Sequence, residues 1–130
     1  MIDHSSVAVS DYQKSKELYT KLLAPLGYTL KMDLADYHAA GFVSRGLDRS
    51  DFWIGQNEGQ KAGGVHVAFT AQNKEEIAAF HQAGLDAGGK DNGAPGYRKD
   101  YSPGYYAAFI KDFDDNNIEA VWRDPNPPAA

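Results

Sequence analysis

Two stretches decide the fold: Ile2-Asp3-His4-Ser5-Ser6-Val7-Ala8-Val9 near the start, and Val65-His66-Val67-Ala68-Phe69-Thr70 in the middle. Each alternates with the period of a half-buried strand. Val7 and Val9 fall on one face and His4, Ser6 and Ala8 on the other; Val65, Val67 and Phe69 likewise oppose His66 and Ala68. Each strand runs into a helix start. Ser10 with Gln13, and Asn73 with Glu76, have the spacing of a capping box. Leu18, Tyr19, Leu22 and Leu23 then recur at helical spacing until Pro25 and Gly27, and Ile77, Phe80 and Leu85 do so until Gly88-Gly89. A shift of 62 residues superposes His4 on His66, Asp11 on Asn73, Leu18 on Phe80, Leu23 on Leu85 and Gly27 on Gly89, which we read as an internal repeat.

Extended segments at 28–34, 37–43 and 51–56 follow the first helix, so the first half reads βαβββ. After the second helix, Asp91-Asn92-Gly93-Ala94-Pro95-Gly96 is a cluster of turn formers and is expected to make a long surface loop. Strands at 104–111 and 116–123, joined by the acidic turn Asp112-Phe113-Asp114-Asp115-Asn116, close the chain. The second half therefore repeats the order only if a further strand lies near the glycine-rich segment. The expected fold is α+β, a single domain over 1–124 with modules of about 1–58 and 63–124 and a frayed tail at 125–130.

Composition narrows the function. With 130 residues the chain has the size of one domain, and none of its apolar runs reaches the ~18 residues of a membrane span. Thirteen Lys and Arg against eighteen Asp and Glu give a net charge of -5, with the basic residues scattered, which argues against nucleic acid as a partner. The start shows no basic segment leading into an apolar core, so the expected location is the cytoplasm. The absence of cysteine removes disulfides, thiolate zinc sites and cysteine nucleophiles, and leaves His, Asp and Glu as the strong metal-binding side chains.

Three strands each carry one such residue among small or apolar neighbours: His4, His66 and Glu119. Their alternate faces are apolar, so all three are expected to point away from the helices toward a cavity. Two imidazoles and a carboxylate suit Zn²⁺, Ni²⁺, Mn²⁺ or Fe²⁺ with positions left for water or substrate. Taken singly, two strand histidines and a glutamate are ordinary sheet residues; the repeat is what links them. Trp53, on the same face, is expected to form a cavity wall. His38 is a candidate acid or base facing the cavity, and Arg98 could meet an anionic substrate.

The pieces Ile2-Asp3-His4, His66-Val67-Ala68-Phe69, Asp91-Asn92-Gly93-Ala94-Pro95-Gly96, Pro103-Gly104-Tyr105-Tyr106 and Asn116-Asn117-Ile118-Glu119-Ala120-Val121 resemble the vicinal oxygen chelate superfamily. That group holds glyoxalase I, bleomycin-resistance proteins, fosfomycin-resistance enzymes and extradiol dioxygenases, and the sequence looks most like its lactoylglutathione lyase-related members. The resemblance implies paired βαβββ modules forming a half-open barrel around a divalent metal, and a homodimer. It places His4, His66 and Glu119 on three metal positions. The fourth stays open between Gln56, which sequence distance brings near it, water, and Trp53, which aligns with Glu119 but whose indole cannot bind metal. It further implies a lyase acting on a small thiol adduct such as a glutathione hemithioacetal, with Glu119 as the catalytic base and Tyr105 among the substrate-binding residues. A fosfomycin-type thiol transferase and a non-catalytic bleomycin-resistance-like binder are the alternatives.

Overall fold

The computed structural model describes residues 1–129 and is built from two copies of one motif. The first copy is β1 (Ser5–Ala8), α1 (Tyr12–Leu23), β2 (Thr29–Leu34), β3 (Ala39–Val43) and β4 (Phe52–Gly55). The second is β5 (His66–Thr70), α2 (Lys74–Asp86), β6 (Lys90–Tyr97), β7 (Tyr105–Lys111) and β8 (Asn117–Arg123). Each makes a mixed four-stranded sheet of the same topology, β1-β4-β3-β2 and β5-β8-β7-β6, in which the first strand runs parallel to the last. The fold is the expected α+β pair of βαβββ modules.

Residues 90–97 correct the expectation of a long surface loop: they form strand β6, paired with β7. The glycines and proline that read as turn formers instead mark irregularities, with the register shifting between Asp91 and Gly93 and again between Gly93 and Gly96. A strand carrying bulges tolerates those residues where a regular one does not. Helix α1 also starts one residue later than expected. Asp11 rather than Ser10 is the cap, its carboxylate accepting the Lys14 N–H at 3.1 Å. At α2 the expected cap holds, with Asn73 Oδ1 accepting the Glu76 N–H at 2.9 Å. The Glu76 carboxylate in turn accepts the Gln72 N–H, and Glu75 and Glu76 both suit the positive end of the helix. Leu85, expected on the packed face of α2, is 37% exposed, and Gly84 is the buried residue there.

One core serves both modules. Tyr19, Leu22 and Leu23 of α1, Ile77 and Phe80 of α2, Phe42, Phe52 and Ile54 of the first sheet, and Phe69, Ile110 and Ile118 of the second form a single buried cluster. Phe52 and Phe69 meet edge to face at 5.0 Å across the module boundary, and Tyr28 meets Phe69 in the same way at 5.4 Å. Arg45 of the first module binds Glu76 at 2.6 Å and Gln72 at 2.9 Å in the second. Because both sheets turn the faces bearing these core residues toward the helices, no helix or strand among the described residues packs on their opposite faces. Among the described residues, no helix is long and apolar enough to cross a membrane. At the far end, Pro127 and Pro128 line a cavity of about 140 Å³ with Tyr97, Lys99, Pro103 and Gly104; Ala130, part of the expected frayed tail, lies outside the described residues.

The acidic turn after β7 is the other tie between modules. Buried Asp112 accepts from the backbone N–H groups of Asp114 and Asn116, from Asn116 Nδ2, and from the Tyr19 hydroxyl of α1 at 2.5 Å. Burial and the neighbouring Asp112 carboxylate raise the Tyr19 phenol well above its ordinary pKa, so it remains a donor. Tyr19→Phe removes one donor from a buried carboxylate, and urea unfolding is expected to show a loss of about 1–3 kcal/mol with an unchanged m-value.

Candidate functional site

The polar groups able to do chemistry lie on the uncovered faces. In β8, Ile118 and Ala120 enter the core, while Asn117, Glu119, Val121 and Arg123 alternate onto the other side. Register puts Ala68 of β5 and Phe109 of β7 beside Glu119. Glu119 is nevertheless only 1% exposed. His66 Nε2 lies 2.8 Å from its Oε1, and the Tyr105 hydroxyl donates to its Oε2. A buried carboxylate needs such partners, since its desolvation is otherwise uncompensated. Tyr105 is in turn stacked beneath the Arg123 guanidinium at 4.8 Å and meets Tyr101 edge to face at 5.1 Å. Burial, then the hydrogen bond to Glu119 and its negative charge, push the Tyr105 phenol up to about 12.

The first sheet holds the other candidates. His4 sits just ahead of β1 with an exposed ring, its Nδ1 2.8 Å from the Asp3 carboxylate. That hydrogen bond, followed by Arg49, holds the Asp3 carboxyl below the usual range. His4, Ser6, Ala39, Trp53 and Asn57 line a cavity of about 250 Å³. Trp53 lies across Gly41, its register partner on β3; a Cβ on Gly41 would stand 2.6 Å from Ser50 Oγ and 2.9 Å from Trp53 Cη2, so glycine makes room for both side chains there.

Pairing of Ser6 with Trp53 in one module and of Ala68 with Glu119 in the other makes Trp53 the structural counterpart of Glu119. Gln56 falls on the helix side: its Oε1 accepts the Tyr12 N–H at 2.7 Å and helps open α1. His38 is also apart from the others. At φ 50° it follows a short 3₁₀ turn, stacks on Tyr12 at 5.7 Å, and lines a separate cavity with Gln56, Asn57 and Glu58. The structure thus brings together His66, Glu119 and Tyr105 on one sheet, and His4 with Trp53 on the other.

Arg98 borders the first of these groups. With Asn92, Gly93, Tyr101, Phe109 and Asn117 it lines a cavity of about 230 Å³ on the face that carries Glu119. Arg123, Tyr101, Asn92 and Asn117 were not among the expected site residues. Period-two counting from Glu119 reaches Arg123 and Asn117 directly, whereas Tyr101 and Asn92 depend on loop and bulge geometry that spacing does not encode.

Imidazole and carboxylate donors suit a divalent cation. Among the described residues, however, no three His, Asp or Glu side chains are grouped to hold one. One chain supplies His66 and Glu119 together, with an indole at the position equivalent to the carboxylate. The donor set fits a metal only if His4 arrives from elsewhere.

Residues 1–120 match the glyoxalase/bleomycin resistance protein/dioxygenase superfamily. The chain belongs to this superfamily. A glyoxalase/bleomycin resistance protein from Albidiferax ferrireducens is 31% identical, with a TM-score of 0.79 over 93% of this chain and 98% of that one. A glyoxylase/bleomycin resistance protein/dioxygenase domain from Frankia sp. shares the fold at 17% identity and a TM-score of 0.71, covering 95% of this chain and 97% of that one. The fosfomycin resistance protein FosX from Listeria monocytogenes, solved as a mutant with manganese(II) and a dihydroxypropylphosphonic acid, does so at 18% identity and 0.65, covering 93% and 88%. No curated protein matches the sequence. In this superfamily member the two modules have diverged at matching strand positions, Trp53 against Glu119.

The phenol shifts have a spectroscopic consequence. Tyr12, Tyr19, Tyr28 and Tyr105 are all raised above the ordinary value near 10, with burial the largest cause in each, and Tyr28 and Tyr105 reach about 12. A group raised in the folded state contributes stability that is complete below its unfolded pKa and is lost as pH rises through the folded one. Phenolate absorbance of the native chain is therefore expected to lag behind that of the urea-unfolded chain between about pH 10 and 12, with Tyr105→Phe removing one late-titrating group.

Proposed function

We propose that the protein is a glyoxalase-like lyase or isomerase that acts on a small thiol adduct, such as a glutathione hemithioacetal, as a homodimer with a shared divalent-metal site. One observation supports this most: a buried glutamate, clamped by a histidine and a tyrosine, faces an uncovered sheet, while the third candidate donor stands on the other uncovered sheet. A second copy laying its first sheet over the second sheet of this one would supply His4 to His66 and Glu119. This isologous arrangement would create two equivalent sites.

A cation held there would polarise a substrate oxygen next to the carbon that loses its proton. Glu119 is the carboxylate available to carry that proton between adjacent carbons, and burial keeps water from it. Tyr105 remains a phenol throughout the neutral range, so it donates to Glu119 or to a substrate oxygen and does not compete as a base. His66 fixes the other carboxylate oxygen. A non-catalytic small-molecule binder is the second reading, and Trp53 in place of a fourth donor is the observation that favours it.

The test joins stoichiometry to complementation. Wild-type protein is expected to sediment as a dimer and to bind about one Ni²⁺, Zn²⁺ or Mn²⁺ per chain, with His4→Ala and Glu119→Gln each abolishing that binding. Refolding the two variants together in equal amounts should restore about a quarter of the sites, since half the dimers would be mixed and each would carry one intact set. A monomer, or full cation binding by His4→Ala, would overturn the shared site.

A further inference from the structure

We propose that Asn92 and Gly93 form a self-modifying site, at which the Gly93 amide nitrogen attacks the Asn92 side-chain carbonyl and the Asp91 carboxylate takes up the proton. The inference goes beyond the lyase reading and depends on neither a metal nor a second copy of the chain.

Sequence picks out the pair, and the fold frees it. Of the asparagines in the chain, Asn92 alone precedes a glycine, whose missing side chain leaves the attacking nitrogen unobstructed. Asn57 and Asn117 precede Glu58 and Ile118, whose side chains crowd that approach. Asn73 is held as the cap of α2, Asn116 is buried against Asp112, and Asn126 precedes Pro127, which has no amide hydrogen to give up. A regular strand would restrain Asn92 as well. Here the register steps from Asp91 opposite Ile110 to Gly93 opposite Phe109, so exposed Asn92 is the extra residue of a bulge, without a partner in the ladder.

The proton acceptor is already in place. Asp91 Oδ1 accepts the Gly93 N–H at 2.9 Å, the very bond that has to break. The same oxygen lies 2.9 Å from His81 Nε2 of α2, which anchors the carboxylate. His81, followed by the Gly93 N–H, holds the Asp91 carboxyl below its usual range, so it is ionised and free to accept but is a weak base.

As the Gly93 nitrogen bonds to Asn92 Cγ, the bond from Cγ to Nδ2 breaks and the proton passes by way of Asp91 to the departing ammonia. The cyclic imide left behind is opened by water, at the side-chain carbonyl to give aspartate or at the main-chain carbonyl to give isoaspartate. Either product loses the Nδ2 donor that reaches Asn117 Oδ1 at 3.1 Å and adds a negative charge to the cavity that Asn117 and Arg98 line. Isoaspartate also lengthens the main chain of β6 at its bulge.

The test keeps folded full-length protein in mildly alkaline buffer, digests it with trypsin, and follows the fragment from Asp91 to Arg98 by mass spectrometry, with enzymatic methylation reporting isoaspartate. That fragment is expected to gain the mass of an amide exchanged for an acid, as both products, sooner than any other asparagine-bearing fragment. Asn92→Gln, whose longer side chain closes the ring poorly, should stay unchanged over the same period. Asp91→Ala is expected to slow conversion roughly tenfold, less than a stronger general base would give, and His81→Ala to speed it, because the carboxylate regains basicity. If mere loosening of the segment governs the reaction, both substitutions speed it, and that result overturns the assignment. So does a fragment that stays intact in the folded chain while it converts in urea.

Discussion

The burial of two helix-covered sheet faces in one core governs the rest of this molecule. A module of about 60 residues buries so small a share of its surface that it is marginal alone, and here the helix sides of both modules merge into one core. Phe52 and Phe69 touch across the boundary, and Tyr19 of one module is hydrogen-bonded to Asp112 of the other. Merging the apolar sides fixes which sides stay uncovered. His66, Glu119 and Tyr105 then sit on one open face and His4 and Trp53 on another, because strand alternation leaves them nowhere else to go. The same packing that stabilises the chain therefore divides its chemical groups between two surfaces.

That division explains why the repeat is structural and not chemical. At corresponding register positions one sheet carries Trp53 beside Gly41 and the other carries Glu119 beside Phe109. Aromatic bulk and the small residue have exchanged strands: the indole on β4 demands glycine on β3, while glutamate on β8 leaves room for a phenylalanine on β7. The second face presents a buried acid with two hydrogen-bond partners where the first presents the indole. A polar network of that kind is favourable only when its members are satisfied, which is met here by His66 and Tyr105.

Strand period, helix spacing and the 62-residue shift made the two modules and the faces of His66 and Glu119 legible before any coordinates. The segment 90–97 was not, because glycine and proline signal a turn locally, whereas here they form a bulged strand held by β7 through long-range pairing. The choice between Trp53 and Gln56 likewise needed register, which counting along the chain does not supply: a one-residue difference in phase moves a side chain to the opposite face. His38 illustrates the same limit. Its strand-like surroundings in sequence end in a 3₁₀ turn and a left-handed residue, and the ring goes to Tyr12.

Net charge gives a misleading impression of the second sheet. The chain carries -5 overall, which by itself would repel an anion. Screening limits that global charge to about 8–10 Å at physiological salt, so the nearest groups decide. Register places Lys90 opposite Lys111, and Lys111 opposite Asn117, on the face that also bears Arg123 and adjoins Arg98. Glu119 is the acid these strands turn to the same side, and it lies beneath His66 and Tyr105. Elsewhere the acids are consumed by local structure: Asp112 in its turn, Asp33 with Lys16, Glu76 with Arg45. A chain acidic overall thus gathers Lys90, Lys111 and Arg123 on the side of the second sheet where Glu119 is buried, so the local field there differs from that of the molecule as a whole.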